Sequence, residues 1–373
     1  MTAASPVGSV VPNHNCTVRP VVDGAADVAV SRCLPTDAAR QPSASKGLCH
    51  LREWSLMKIV LPLLAIGLVA FGQQASMDEL SKLFQNDPQK PPGERIVASK
   101  GRKGVRIFDY SFSSPVSGRV PGVLVAPDRP GRFPVVLFGH WMMAGSPMRN
   151  HTEFLEEAIV FARAGAICVL LDSPLVRDGV TEDPDPMHGQ GPNGTLQMTR
   201  EWRRALDLLL ARKDVDSKRV AYVGHSFSAG VGAKLIGVET RIQSFVLMAN
   251  VYSMHDYIYD EQNAEMVSMR KKMGEEWIQN YFRQFPWDDS VTFVRHSAPR
   301  AVFLQNGRSD TSLPERIVRK SFEYFQEPKQ LEFYDAGHEL NATARMDRAK
   351  WLQGRLKLKS LDVKALESIP QLH

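Results

Sequence analysis

The chain has 373 residues, 43% of them hydrophobic, with 46 basic and 41 acidic side chains and a net charge of +5. That length is enough for two domains, yet a single α/β domain of roughly 250 residues fits most of it. The excess charge is small and forms no long run, which excludes an electrostatic nucleic-acid footprint.

The first 56 residues hold Cys16, Cys33 and Cys49 and show no periodicity. Met57-Lys58 then leads into the apolar run Ile59–Phe71, which ends small-x-small at Ala70-Phe71-Gly72. A basic residue, a short apolar core and such an ending describe a secretory signal peptide over 57–72, leaving Gln73 at the new terminus. The run is too short to be a comfortable membrane span, and no cysteine near its end offers a lipid anchor. A signal peptide should begin a protein. Met57 is therefore read as the start, and 1–56 as a non-native or disordered extension. Export to a periplasm or the medium follows, with no stable membrane span after cleavage. Beyond Gly72 the balance is 40 basic to 37 acidic residues, and Cys168 is the one cysteine. A single thiol forms no internal disulfide, so the fold does not depend on an oxidising compartment.

Residues 73–93, with Pro88, Pro91 and Pro92, read as a polar lead-in. Alternation and apolar runs predict strands at 105–112, 119–126 and 134–139, a helix at 152–164 and a strand at 166–172. Ser173–Gly194, rich in Pro, Gly and Asp, reads as a surface loop. A helix at 196–212 puts Trp202, Leu206, Leu209 and Leu210 on one side, leaving Arg200, Arg203 and Arg204 to a solvated or salt-bridged face. Strands follow at 219–224, 243–249 and 300–305. Helices follow at 313–326, with a stripe of Val318, Phe322 and Phe325, and at 341–357. The expected fold is α/β: a mostly parallel central sheet with helices on both faces, occupying 94–358 and followed by a tail at 359–373. An insertion at 252–297 carries Met254, Tyr257, Tyr259, Met266, Met269, Met273, Trp277, Tyr281, Phe282, Phe285 and Trp287. Two readings stand for it: a small helical cap supplying an apolar pocket, or helices packed against the sheet.

The chemistry concentrates at Gly224-His225-Ser226-Phe227-Ser228. The apolar run Val220–Val223 precedes it and the small-residue segment Ala229–Ala233 follows. A strand turning sharply into a helix with serine at the apex is a nucleophile elbow. The turn crowds the backbone, so small residues are needed two before and two after the serine. Gly224 meets this, and Ser228 stands where glycine is usual. Serine needs a base, and the base an orienting acid. Asp310 follows the strand Ala301–Gln305, and His338 follows the apolar segment Leu331–Tyr334. Each lies past the carboxyl end of a strand, where open α/β sheets place their sites. Asp335 is the rival acid, close to His338 in sequence. His225 is adjacent to the serine and is read as a packing or turn residue pointing away from it. His188 has too few partners for a metal site, and neither H-E-x-x-H nor paired cysteines occur, so no metal or cofactor is expected.

Over about Glu94–Leu358 the chain resembles α/β-hydrolases of the dienelactone-hydrolase-like and esterase branch. The matching pieces are Pro134–His140, Gly224-His225-Ser226, Gly307-x-x-Asp310 and Ala336-Gly337-His338. The resemblance implies Ser226 as nucleophile, His338 as general base and acid, and Asp310 as its partner. Dienelactone hydrolases carry cysteine at the nucleophile, so Ser226 points to a general ester or acyl hydrolase acting on a small molecule. By the same resemblance the oxyanion donors are the backbone N–H groups of Phe227 and Met142, with Trp141 as the fallback. Trp141 replaces a glycine common in relatives, and Trp141 and Met142 also fit an apolar pocket wall. A peptidase, an acyltransferase and a catalytically silent binding protein remain alternatives on the same fold. Oligomeric state leaves no signal in the sequence.

Overall fold

The structure, a computed structural model, describes residues 75–99, 101–177 and 190–372. The expected signal peptide at 57–72, the segment 1–56 and His188 lie outside the described residues. In chain order the elements are α1 (Met77–Leu83), β1 (Arg95–Ala98), β2 (Val105–Ser113), β3 (Arg119–Pro127), β4 (Phe133–Gly139), α2 (Leu155–Ala164), β5 (Ile167–Leu171) and α3 (Gln190–Leu210). They continue with β6 (Val215–His225), α4 (Phe227–Val238), β7 (Ser244–Met248), α5 (Met254–Ile258), α6 (Ala264–Met273), α7 (Glu275–Gln284) and α8 (Val291–Val294). The last are β8 (Ala301–Gly307), α9 (Glu315–Glu323), β9 (Lys329–Tyr334), α10 (Ala342–Leu356) and α11 (Val363–Glu367).

The nine strands form one sheet in the order β1-β2-β3-β5-β4-β6-β7-β8-β9. The ladders from β5 through β9 are parallel, and the three on the β1 side are antiparallel. The central strands are continuous apolar runs because both sheet faces are covered. In β4, Val135 and Leu137 enter one core while Val136 and Phe138 enter the other. In β6 the same alternation sends Val220 and Tyr222 one way and Ala221 and Val223 the other. Trp202, Leu206 and Leu209 of α3 and Val231 and Leu235 of α4 cover the first face. Ala158 and Phe161 of α2, Leu352 of α10 and Leu366 of α11 cover the second. Because β4, β6, β8 and β9 run parallel, the loops that follow them emerge along one edge of the sheet.

Four segments differ from the sequence expectations. The helix expected from 196 begins at Gln190 and takes in Gly191-Pro192-Asn193-Gly194. Proline is tolerated there because the first turn needs no N–H donor. Pro192 also uses its carbonyl to accept from Thr195 Oγ1 and Trp287 Nε1, both at 2.8 Å. The lead-in contains α1, opened by a reciprocal Ser76–Glu79 capping box. Leu80 and Phe84 pack there with Tyr281, Phe285, Trp287 and Phe293. Of the face read as solvated or salt-bridged, Arg203 is salt-bridged, its Nε 3.4 Å from Glu239 Oε2; it also donates to Phe84 O, and Arg204 is buried and donates to Lys90 O and Asp87 O. They clamp the lead-in. Finally, β1 is wholly exposed, so no burial periodicity announces it, and 359–373 carries α11 on the second core.

Within the insertion, Tyr281, Phe285 and Trp287 are buried in a cluster with Leu80, Phe84 and Phe293, not against the sheet as the packing reading had it. Helix α6 buries none of its residues.

Candidate active site

Ser226 lies between β6 and α4 with φ 52° and ψ −114°. This is costly backbone for a residue with a Cβ, of order 1–3 kcal/mol. Neighbours hold it: Ser226 N donates to Met248 O at 2.8 Å, and Asn250 Nδ2 donates to Ser226 O at 2.7 Å. The turn folds back so tightly that a Cβ on Gly224 would lie 2.4 Å from Ser228 O. A Cβ on Gly139 would lie 2.6 Å from Ser228 Cβ. Glycine at both positions lets β4, β6 and the start of α4 meet.

Ser228 explains its own departure from glycine. Its hydroxyl donates to His140 O at 2.6 Å, tying the elbow to the loop after β4. Tyr222 Oη donates to Ser228 O at 2.8 Å from beneath. That loop is fixed again at His140, whose ring accepts from Ser173 N at 2.9 Å through Nε2. Its Nδ1 faces Trp141 O at 2.6 Å and must therefore carry the proton. Burial pushes the His140 pKa below its ordinary value, in agreement with this neutral tautomer.

The loops after β8 and β9 bring the other two residues in. His338 Nε2 is 2.7 Å from Ser226 Oγ, and His338 Nδ1 is 2.6 Å from Asp310 Oδ2. Asp310 can only accept when ionised, so Nδ1 carries the proton and Nε2 is left to accept from serine. The Asp310 side chain is 2% exposed and that of His338 19%. Asp310 Oδ1 also accepts from Ser312 N at 3.0 Å, which fixes the carboxylate plane. Asp335 is 96% exposed and lies 3.7 Å from Arg308 Nε. The rival acid is turned to solvent.

For the oxyanion donors, Phe227 opens α4, where helix N–H groups have no partner within the helix. Trp141 corrects an expectation. Its N–H is already donated to Glu153 Oε2 at 2.6 Å, so the fallback donor is engaged and Met142 remains. The indole is 1% exposed and stacks on the His225 ring at 5.1 Å and 18°, so it is core rather than pocket wall.

Sequence reasoning missed the partners beneath. His225 Nδ1 lies 2.6 Å from Glu153 Oε1, and His225 Nε2 lies 2.8 Å from the main-chain oxygen of His338. The ring also stacks on that of His338 at 5.7 Å. His225 packs, and it also makes a built polar contact with Glu153 and the His338 main chain. Among the described residues no His/Cys/Asp/Glu group of three or more is arranged to hold a metal ion.

No protein-family model and no curated protein matches the sequence. Solved structures do match. An acetyl xylan esterase from Paenibacillus sp. R4 superposes with a TM-score of 0.60 at 19% identity, over 75% of this chain and 93% of that one. Acetyl xylan esterase 1 from Thermoanaerobacterium sp. JW/SL YS485 gives 0.61 at 15% identity, over 76% of this chain and 95% of that one. The parallel sheet, the elbow after β6 and these likenesses define the α/β-hydrolase fold. The protein has that fold.

Proposed function

We propose that the protein is a serine hydrolase that cleaves carboxylic esters or related acyl bonds through an acyl-enzyme on Ser226. The observation that carries this is the chain of hydrogen bonds Ser226 Oγ–His338–Asp310, at 2.7 and 2.6 Å, on a strained elbow. Ser226 Oγ attacks the carbonyl carbon as His338 Nε2 takes its proton. The N–H groups of Phe227 and Met142 hold the oxyanion. His338 returns the proton to the leaving alcohol as the ester C–O bond breaks. Water, deprotonated by His338, then attacks the acyl-serine, releasing the acid and the free hydroxyl.

The two superposed proteins are acetyl xylan esterases, which makes small O-acetyl esters the first substrates to offer. The test is hydrolysis of p-nitrophenyl acetate and acetylated sugars by wild type and Ser226→Ala. Turnover by the wild type that a folded Ser226→Ala loses is expected. Turnover that survives in that variant contradicts the reading.

The finer proposal, that part of 252–297 caps the acyl pocket, rests on α5. Its Tyr257 hydroxyl donates to Ser312 O, two residues from Asp310. Tyr257→Ala should change the preference between acetyl and butyryl esters, and an unchanged ratio removes the cap. Export is proposed from the apolar run at 57–72. Among the described residues no helix is long and apolar enough to cross a membrane.

A further inference from the structure

Glu153 lies on the 3-10 turn His151–Phe154 that leads into α2, and its side chain is fully buried. A carboxylate in that position is costly unless both oxygens are satisfied. Here Oε2 accepts the Trp141 N–H, and Oε1 meets His225 Nδ1 at 2.6 Å. The other face of the relay is His225 Nε2, 2.8 Å from the His338 carbonyl oxygen. A carbonyl can only accept, which puts a proton on Nε2. The remaining proton lies in the short Nδ1–Oε1 bond. One carboxylate and one imidazole thus join two loops that are far apart in sequence. One is the loop after β4, at Trp141, next to the oxyanion donor Met142. The other is the loop after β9, at the backbone of His338.

We propose that Glu153 and His225 are a buried positioning pair that holds the His338 ring and the oxyanion loop in register with each other. The proposal rests on the reading of Ser226, His338 and Asp310 as acyl-transfer machinery. Neither residue touches the reacting atoms. The pair acts through the His338 main chain and the Trp141 N–H. The stack of Trp141, His225 and His338 rings adds lateral restraint, at 5.1 and 5.7 Å. The Trp141 ring braces His225, and its main-chain N–H satisfies Glu153.

The conservative variant separates hydrogen bonding from bulk. In Glu153→Gln the amide oxygen still accepts from Trp141 and the amide N–H donates to His225 Nδ1. His225 Nε2–H still reaches the His338 carbonyl. All three bonds survive. In Glu153→Ala two are lost and His225 is released. The experiment compares wild type, Glu153→Gln and Glu153→Ala by steady-state kinetics, thermal unfolding and proton NMR of 15N-histidine-labelled protein. The NMR reads the downfield proton of the His338 Nδ1–Asp310 bond. Glu153→Ala should lose about 10- to 100-fold in kcat with little change in KM, the scale of a small misplacement of reacting groups. Its His338 resonance should broaden or vanish. Glu153→Gln should recover both. If Glu153→Ala does not fold, the double variant Glu153→Met with His225→Phe replaces the pair by apolar groups of similar volume and serves in its place. A folded Glu153→Ala, or double variant, with unchanged kcat and an unchanged His338 resonance overturns the proposal. So does a folded Glu153→Gln that falls as far as Glu153→Ala. A wild type that turns over no ester, yet whose His338 resonance responds to Glu153, defeats the esterase reading and supports the pair.

Discussion

Ser228 makes a bond that glycine could not, and it does so where Gly139 and Gly224 let the backbone close in tightly. Its hydroxyl is the donor to His140 O, and the residue is fully buried. Ser228→Ala would leave that carbonyl unpaired away from water, a loss of about 1–3 kcal/mol. Urea unfolding should show that loss, and kcat should fall because Met142 lies two residues beyond the freed carbonyl. A Ser228→Ala protein with the wild-type midpoint would show that the bond is not worth making. The acid makes a sharper contrast. Asp310→Asn leaves the site folded but favours the wrong His338 tautomer, so kcat should drop by roughly 1,000- to 10,000-fold. Asp335→Asn, at a residue turned to solvent, should leave kcat unchanged. The reverse pattern would exchange the two roles. Ser226, Asp310 and His338 are legible in the sequence because each follows an apolar strand in a fixed order. Glu153 is not. It stands in one turn with Glu156 and Glu157, and the three have different partners. Glu156 pairs with Arg102 on the surface, Glu157 with buried Arg348, and Glu153 with His225. Nothing local distinguishes them, since the partners come from 54, 191 and 72 residues away.

Elements with long apolar runs are legible for the same reason that they are buried. Strands β4, β6, β7 and β8 keep a side chain in each core and read as strands at once. The start of α3 does not, because Gly191, Pro192 and Gly194 carry a loop composition and the tertiary contacts of Pro192 override it. Helices α1 and α11 are too short to show a period, yet both are fastened to the core. Arg345 donates to the carbonyls of Leu366, Ile369 and Pro370, and Leu366 is completely buried. Removing 359–373 should cost about 3 kcal/mol or more, from one buried leucine and the stranded guanidinium. Phe84→Ala should cost about 3–5 kcal/mol, since its ring is buried edge-on to Phe293 at 5.6 Å. Unfolding midpoints check both. Wild-type stability in either variant would mean that the element is an ornament on the fold.

Across the molecule, the site joins the two cores instead of sitting on one. The elbow rests on Tyr222 of the first core, and the loop after β9 leads into α10 of the second. Stability and activity should therefore share a pH dependence through buried His140. Burial holds its pKa below the ordinary 6.5, so the unfolded chain binds a proton that the folded chain refuses. Stability from this residue is complete above that value. It falls as the pH drops through 6.5, and levels off only below the folded pKa. The urea midpoint should decline between about pH 7.5 and 5.5, and the decline should be shallower in His140→Asn. Equal slopes in the two proteins would assign the dependence to other groups.

The central claim is that Ser226 is an activated nucleophile. Intact-mass analysis after treatment with a fluorophosphonate probe tests it most directly, on protein beginning at Gln73 and its Ser226→Ala variant. The account predicts one adduct on the wild type, mapped to Ser226, and none on a folded variant. A folded wild type that takes no adduct, or a variant that is labelled as fast as the wild type, would contradict it.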